Sequence, residues 1–120
     1  MTIDWQNQTA DQIEALVNAS NPVYGGAITY FRNAIVRVLE VSPATMADAT
    51  ILRPGSIVHA SQIEGLFVLC SDYKFLKINI IRSQEAILSG NKLAALGIRQ
   101  DEKFGLQNQN PSIKKSKIII

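Results

Sequence analysis

The sequence has little cysteine and no long apolar run, and each scarcity excludes a class of protein. Its 120 residues contain one cysteine, Cys70, so no disulfide can form within the chain. A lone thiol suits a compartment that keeps cysteines reduced, and we expect a cytoplasmic location. No segment approaches the roughly 18 consecutive apolar residues of a membrane-spanning helix, because Lys74, Lys77 and Arg82 interrupt the most hydrophobic stretch. The first residues also lack the basic and apolar regions of a secretory signal.

Charge of either sign is not in excess over most of the chain. Twelve basic residues stand against ten acidic ones, which gives a net charge of +2. All of this excess comes from three lysines near the end, Lys114, Lys115 and Lys117. A nucleic-acid-binding protein usually carries a basic stripe, and the body of this chain is electrically balanced. An apolar fraction of 47% is ordinary for one soluble domain and is enough for a core without a metal or disulfide.

The local patterns predict one helix followed by short strands. Thr9-Ala10-Asp11-Gln12 has the spacing of a capping box, and apolar residues then recur at helical spacing, so a helix is predicted over 10–19, ended by Asn21-Pro22. Runs of β-branched and aromatic residues predict strands over 27–32, 35–41, 56–59, 66–70 and 75–81.

The connections between these elements are also predicted. A tight turn at Asn33-Ala34 joins the first two strands, Ser42-Pro43 ends the second, and a loop follows over 44–54. A second helix is expected over 83–88, with Gly90-Asn91 as its C-cap. Five short strands after one helix favour a small antiparallel barrel or a strongly curved sheet.

Four parts of the sequence stand in a distinctive order. They are Ile3-Asp4-Trp5, the first helix with Gly25-Gly26-Ala27-Ile28-Thr29-Tyr30, Pro54-Gly55-Ser56-Ile57 with Glu64-Gly65-Leu66-Phe67-Val68, and Ala86-Ile87-Leu88-Ser89-Gly90 with Leu93 and Gly97. This order resembles the C-terminal domain of the formyltransferase family, which includes methionyl-tRNA formyltransferase and its sugar-nucleotide relatives. The resemblance covers residues 3–97. It departs from the family where Tyr24 and a glycine pair replace the usual proline before Gly-Ala.

The resemblance implies a fold and a set of partners. The expected fold is mainly β with flanking helices, a small open Greek-key β-barrel similar to an oligonucleotide-binding fold. We divide the chain into a barrel domain over 1–99 and a polar flexible tail over 100–120. The family's catalytic Asn, His and Asp lie in another domain, so we expect no catalytic residue, cofactor or metal site here. The implied partners are a catalytic formyltransferase domain and an acceptor substrate, either tRNA or a sugar nucleotide, with no membrane.

Five residues are candidates for contact with that acceptor. Tyr30-Phe31-Arg32 and the segment 73–77 interleave aromatic rings with cations, a pattern that can supply stacking and phosphate contacts on such a barrel. The candidate contact residues are Arg32, Arg37, Tyr73, Lys74 and Lys77. The alternative interpretation is a packed core with a solvated basic face, since alternation turns every second strand residue inward.

Two other hypotheses stay open. A tight turn at Glu64-Gly65 would place His59 opposite Cys70, the pairing that a thiol-dependent enzyme could use. Free cysteines are more commonly packed as small apolar groups. A structural role, with dimerisation through a sheet edge or the apolar end Ile118-Ile119-Ile120, is the third hypothesis, and the oligomeric state is left open. Tyr24-Gly25-Gly26-Ala27 follows a helix and precedes a strand, the reverse of a phosphate loop, so a tight turn is predicted there.

Overall fold

One curled antiparallel sheet and two helices make up the described part of the chain. The computed structural model describes residues 1–45, 53–84 and 86–105. Its elements are α1 (Ala10–Tyr24), β1 (Ala27–Phe31), β2 (Ala34–Ala44), β3 (Ile57–Ser61), β4 (Gly65–Leu69), β5 (Phe75–Arg82), β6 (Ile87–Ser89), α2 (Gly90–Ala95) and β7 (Phe104–Gly105). The predicted class is confirmed: the fold is mainly β with flanking helices, and its sheet curls into a half-barrel of the oligonucleotide-binding kind.

The strand order explains the curl of the sheet. Along the sheet the strands follow the order β3-β4-β5-β2-β1-β7, and β6 pairs separately with β5. The two ends of this order are joined where Ser56 bridges Lys103, and the amide of Ile57 donates to the carbonyl of Glu102 at 2.8 Å. Hydrogen bonding between the ends shortens the free edges that would otherwise be open to pairing with other chains.

The core lies inside the curl, with α1 packed across it. Ile13 and Val17 on one face of α1 are fully buried. Three aromatic rings fill the end of the core near β7: the centroid of Phe104 lies 5.8 Å from that of Trp5 and 5.0 Å from that of Phe31. The chain therefore builds one main apolar core without a disulfide, as its composition predicts.

Helix α1 begins as predicted and ends later. The capping box is confirmed: the Thr9 hydroxyl accepts from the amide of Gln12 at 3.2 Å, and the Gln12 side chain accepts from the amide of Thr9 at 2.9 Å. The predicted end at Asn21-Pro22 is wrong, since the helix continues through the exposed Pro22 to Tyr24. Proline here removes one backbone donor close to the helix end, and Gly25, at φ 72°, supplies the left-handed residue that ends the helix.

The first hairpin turns one residue earlier than predicted. Its two-residue turn is Arg32-Asn33, with φ angles of 52° and 66°, rather than Asn33-Ala34. Two positive φ angles are the signature of a type I′ turn, whose twist suits a hairpin. Strand β2 also continues through Pro43 to Ala44, so the predicted end at Ser42-Pro43 is wrong. Most of the loop predicted over 44–54 lies outside the described residues.

The region after β5 differs most from prediction. The helix predicted over 83–88 is wrong: residues 87–89 form β6, and the hydroxyl of Ser89 then accepts from the amide of Lys92 at 3.0 Å to cap α2. Gly90-Asn91 therefore begins a helix instead of ending one. Residues 100–120 were predicted to form a polar tail. In the described part of this segment, however, Phe104 is 1% exposed and belongs to the core. Residues 106–120 lie outside the described part.

Candidate functional site

The five residues predicted to contact an acceptor lie at separate places on the sheet. Arg32 lies in the turn between β1 and β2, Arg37 lies in β2, and Lys77 lies in β5. Tyr73 and Lys74 precede β5 and line one depression, whereas Arg37 lines another. The structure therefore does not gather all five into a single depression.

Arg32 is held by an acidic neighbour. Its Nε and Nη2 atoms donate to the two carboxylate oxygens of Glu102 at 2.6 and 2.8 Å, and its guanidinium lies 5.1 Å from the ring centre of Phe31. This two-pronged hydrogen bonding raises the pKa of Arg32 and lowers the pKa of Glu102. Arg32 therefore ties the first hairpin turn to the segment before β7.

Arg37 is anchored at the C-terminal end of α1. Its Nη1 donates to the carbonyl oxygens of Tyr24 at 3.2 Å and Gly26 at 3.4 Å. Its neighbours across the sheet are Ile28 on β1 and Arg82 on β5. Two arginines thus face each other on adjacent strands, and Arg82 is the one that sequence reasoning missed.

Arg82 reaches the same end of the helix. A Cβ placed on Gly25 would lie 2.8 Å from Nη2 of Arg82 and 3.3 Å from its Cζ, so the guanidinium packs directly over this glycine. The two arginines share a depression of about 350 Å³, which is lined by Ile35, Arg37, Arg82, Ser83 and Gln84. The two arginines are 45 residues apart in the chain, and pairing over that distance leaves no local signal in the sequence.

Tyr73 and Lys74 lie near the start of α1. Tyr73 has a φ of 61° and a side chain that is 66% exposed, and it follows Asp72, whose carboxylate accepts from the amide of Ala10 at 3.2 Å. The depression here has a volume of about 440 Å³. Asp11 lines it beside Lys74, so its charge is mixed.

Lys77 belongs to a row that crosses four strands. His59 on β3 pairs with Phe67 on β4, Phe67 pairs with Lys77 on β5, and Lys77 pairs with Ser42 on β2. The ring centres of His59 and Phe67 are 5.8 Å apart. The row places a cation beside two rings on the outer face of the sheet, and neither ring was among the predicted contact residues.

The predicted pairing of His59 with Cys70 is wrong. The turn between β3 and β4 takes three residues, 62–64, and sets Ser61 opposite Gly65, so His59 lies opposite Phe67. The Nε2 atom of His59 lies 2.8 Å from a carboxylate oxygen of Glu64, on the exposed side of the hairpin.

Cys70 is fully buried, and this burial raises the pKa of its thiol to about 12. At neutral pH the thiol therefore keeps its proton and is a poor nucleophile. Among the residues that the structure describes, no three His, Cys, Asp or Glu side chains are grouped as a metal site would need. Within the same residues, no helix combines the length and apolar character that crossing a membrane requires.

Comparison with protein-family models decides the family. Residues 1–95 match the formyl transferase, C-terminal domain, which is 95 of the 120 residues. The chain belongs to this family. None of the curated proteins compared with the chain matches it. The matched region of this formyltransferase C-terminal domain ends at the last residue of α2, so it takes in every described element except β7.

Two of the segments that carried the resemblance serve the fold of the formyltransferase C-terminal domain. Gly55 has a φ of 92°, and a Cβ there would lie 2.5 Å from the carbonyl oxygen of Phe104. Gly90 begins α2 where a Cβ would overlap the carbonyl oxygen of Ile78 and lie 3.1 Å from the Cβ of Leu66. These glycines allow close approach of backbones. The family is the non-catalytic C-terminal part of formyltransferases, where it is attached to a catalytic domain.

Proposed function

We propose that this formyltransferase C-terminal domain acts by binding, in the cytoplasm, and carries out no chemistry of its own. It packs on a catalytic formyltransferase domain and holds an acceptor substrate, tRNA or a sugar nucleotide, in reach of that domain. The match of residues 1–95 to the family is the observation that carries the proposal. The protonated, buried thiol of Cys70 supports it, because the one strong nucleophile among the core side chains is inactive at neutral pH.

The acceptor contacts that we propose lie at separate places on the surface of the domain. Lys77 lies in a row with two aromatic rings, and Tyr73 and Lys74 line the depression near α1. Cations attract phosphate, and accessible rings can stack on bases. Arg37 contributes from the other depression. Arg32 takes a smaller part, because Glu102 occupies two of its donors.

The test measures the two kinds of partner separately. The full chain is titrated with a catalytic formyltransferase domain from the same source, with tRNA, and with a sugar nucleotide. We expect the catalytic domain and one of the two acceptors to bind. Tyr73→Ala combined with Lys74→Ala weakens acceptor binding, whereas Lys92→Ala, a change at an exposed cation on α2, leaves it unchanged. Absence of binding by all three partners at high micromolar concentration would overturn the proposal.

A further inference from the structure

Arg37 and Arg82 lie together at the C-terminal end of α1, and the contacts of the fold leave most of their hydrogen-bond donors available. We propose that Arg37 and Arg82 together bind a phosphate group, with a compact phosphate ester such as a nucleoside diphosphate as the ligand. The inference deepens the proposed acceptor contact by naming the group that is recognised, and it rests on that proposed function. It also adds Arg82, which was not among the predicted contact residues.

Three observations place the two guanidinium groups together. Arg37 and Arg82 are direct partners in the pairing of β2 with β5. The Nη1 atom of Arg37 is bonded to the carbonyls of Tyr24 and Gly26. The guanidinium of Arg82 packs on the residue between them, Gly25, so closely that its Nη2 atom would lie only 2.8 Å from a Cβ at that position. Both groups therefore converge on the same three residues.

Backbone carbonyls hold Arg37, and no carboxylate of the described residues is paired with either arginine. Like charges on directly paired strand residues repel each other and destabilise a sheet. Among the described residues, neither Arg37 nor Arg82 forms an ion pair with an aspartate or a glutamate. The carbonyl oxygens at the end of α1 carry only partial negative charge. An added anion could therefore bind two neighbouring guanidinium groups, most of whose N–H donors are not used by the fold.

The donor geometry fits phosphate. Each guanidinium presents a planar fork of N–H groups, which matches the oxygens of a phosphate through two parallel hydrogen bonds. With one nitrogen of Arg37 anchored to carbonyls, that group is oriented before a ligand arrives, which lowers the entropy lost on binding. A volume of about 350 Å³ lies within the range of small-ligand sites.

The surroundings favour a compact ligand over a polynucleotide. A nucleic acid track needs cations that continue along the backbone. Here the paired neighbours on the far side of each arginine are apolar: Ile28 stands beside Arg37, and Ile87 stands beside Arg82. Ile35, which is 51% exposed, lines the same depression and offers an apolar wall beside the charges. This arrangement suits one phosphate or diphosphate with an attached ring.

The test follows the full chain by nuclear magnetic resonance during titration with three probes: pyrophosphate, uridine diphosphate and a short single-stranded RNA. Uridine, which lacks phosphate, is the control ligand. We expect the amide signals of Gly25 and Gly26 to shift with pyrophosphate and uridine diphosphate and to stay in place with uridine. Arg82→Gln should weaken binding by at least about tenfold, since a hydrogen bond to a charged group is lost. Arg53→Gln, at an exposed arginine outside the depression, should have no effect.

Thermal unfolding separates ligand binding from a purely structural role. If Arg82 only stabilised the end of α1, Arg82→Gln would lower the melting temperature without ligand. We expect instead that Arg82→Gln leaves the melting temperature without ligand unchanged or slightly higher, because repulsion from Arg37 is relieved. Pyrophosphate should raise the melting temperature of the parent protein but not that of the variant.

The outcomes distinguish this inference from the proposed function. If uridine diphosphate or RNA binds and the Arg37→Gln and Arg82→Gln variants bind it equally well, the phosphate site is wrong while acceptor binding stands. Preference for RNA with shifts spread beyond Gly25 and Gly26 would also overturn the compact ligand. Failure of every phosphate probe and every acceptor would overturn both.

Discussion

The indole Nε1 of Trp5 donates a hydrogen bond of 2.9 Å to the hydroxyl of Thr29, and both side chains are at most 1% exposed. The bond joins the segment before α1 to the middle of β1, 24 residues apart. A buried indole N–H without an acceptor would lose its hydration and gain nothing in return. This one contact therefore fixes where the largest core side chain is placed.

Replacing Thr29 with valine should destabilise the domain. Valine has a similar shape but offers no acceptor, so the indole N–H is left unsatisfied at a cost of about 1–3 kcal/mol. Urea unfolding followed by far-ultraviolet circular dichroism measures the loss in the free energy of unfolding. In a Trp5→Phe background the same change should cost much less, because the donor is gone. An equal loss in both backgrounds would show that the hydrogen bond is not the cause.

Two glycines provide a matched test of close packing. A Cβ on Gly90 would overlap the carbonyl oxygen of Ile78, whereas a Cβ on Gly105 meets nothing within 4 Å. Neither glycine has a positive φ, so backbone strain does not separate them. Gly90→Ala should lower the free energy of unfolding by roughly 1–3 kcal/mol, and Gly105→Ala should leave it nearly unchanged. Similar effects on thermal unfolding at the two positions would contradict this account.

Local signals in the sequence predicted the parts of the fold that depend on local chemistry. The capping box at Thr9 needs two side chains three residues apart, and both are visible in the sequence. The ordered motifs from Ile3 to Gly97 likewise led to the family that the match over residues 1–95 establishes. Where two local signals competed, the prediction failed: Ser89 caps α2, but Gly90-Asn91 looks equally like a helix end.

Pairing over long distances in the chain was not predictable in the same way. The three-residue turn over 62–64 sets His59 opposite Phe67 instead of Cys70. Arg37 and Arg82 are direct partners across β2 and β5, although they are 45 residues apart in the chain. Phe104 joins the core because its amide bonds to Gly55, 49 residues earlier. Such contacts depend on how the whole sheet curls, so the arginine pair could be found only from the fold.

The ion pair between Arg32 and Glu102 should make stability depend on acid. The hydrogen bond from Arg32 lowers the pKa of Glu102 in the folded protein. The contribution of this pair to the stability of the fold is therefore present above the unfolded-state pKa of about 4.3 and is lost as the pH falls through the folded-state pKa. At neutral pH, Arg32→Gln should therefore lower the free energy of unfolding by less than about 1 kcal/mol, since the pair is partly exposed. In acid the loss in the free energy of unfolding should be smaller still. Urea midpoints of both proteins across the acid range measure the difference. A difference that does not change with pH would contradict the assignment.

Cys70 should be protected in the folded protein and should weaken it in alkali. Burial raises the pKa of the thiol to about 12, against about 8.5 in an unfolded chain. The unfolded state therefore loses its proton first, so the contribution of the thiol is complete below about pH 8.5 and declines as the pH rises toward the folded value. Alkylation by iodoacetamide should be slow in buffer and fast in denaturing urea.

At neutral pH, Cys70→Ala should be less stable than the parent protein by roughly 1 kcal/mol, because packing is lost. By about pH 10 this difference in unfolding free energy should shrink, because the parent loses stability as the pH rises. Tyrosines and lysines titrate alike in both proteins, so a difference in unfolding free energy that narrows with pH reports on the thiol alone. A difference that stays constant, or rapid alkylation of the native chain, would show that Cys70 is accessible to solvent.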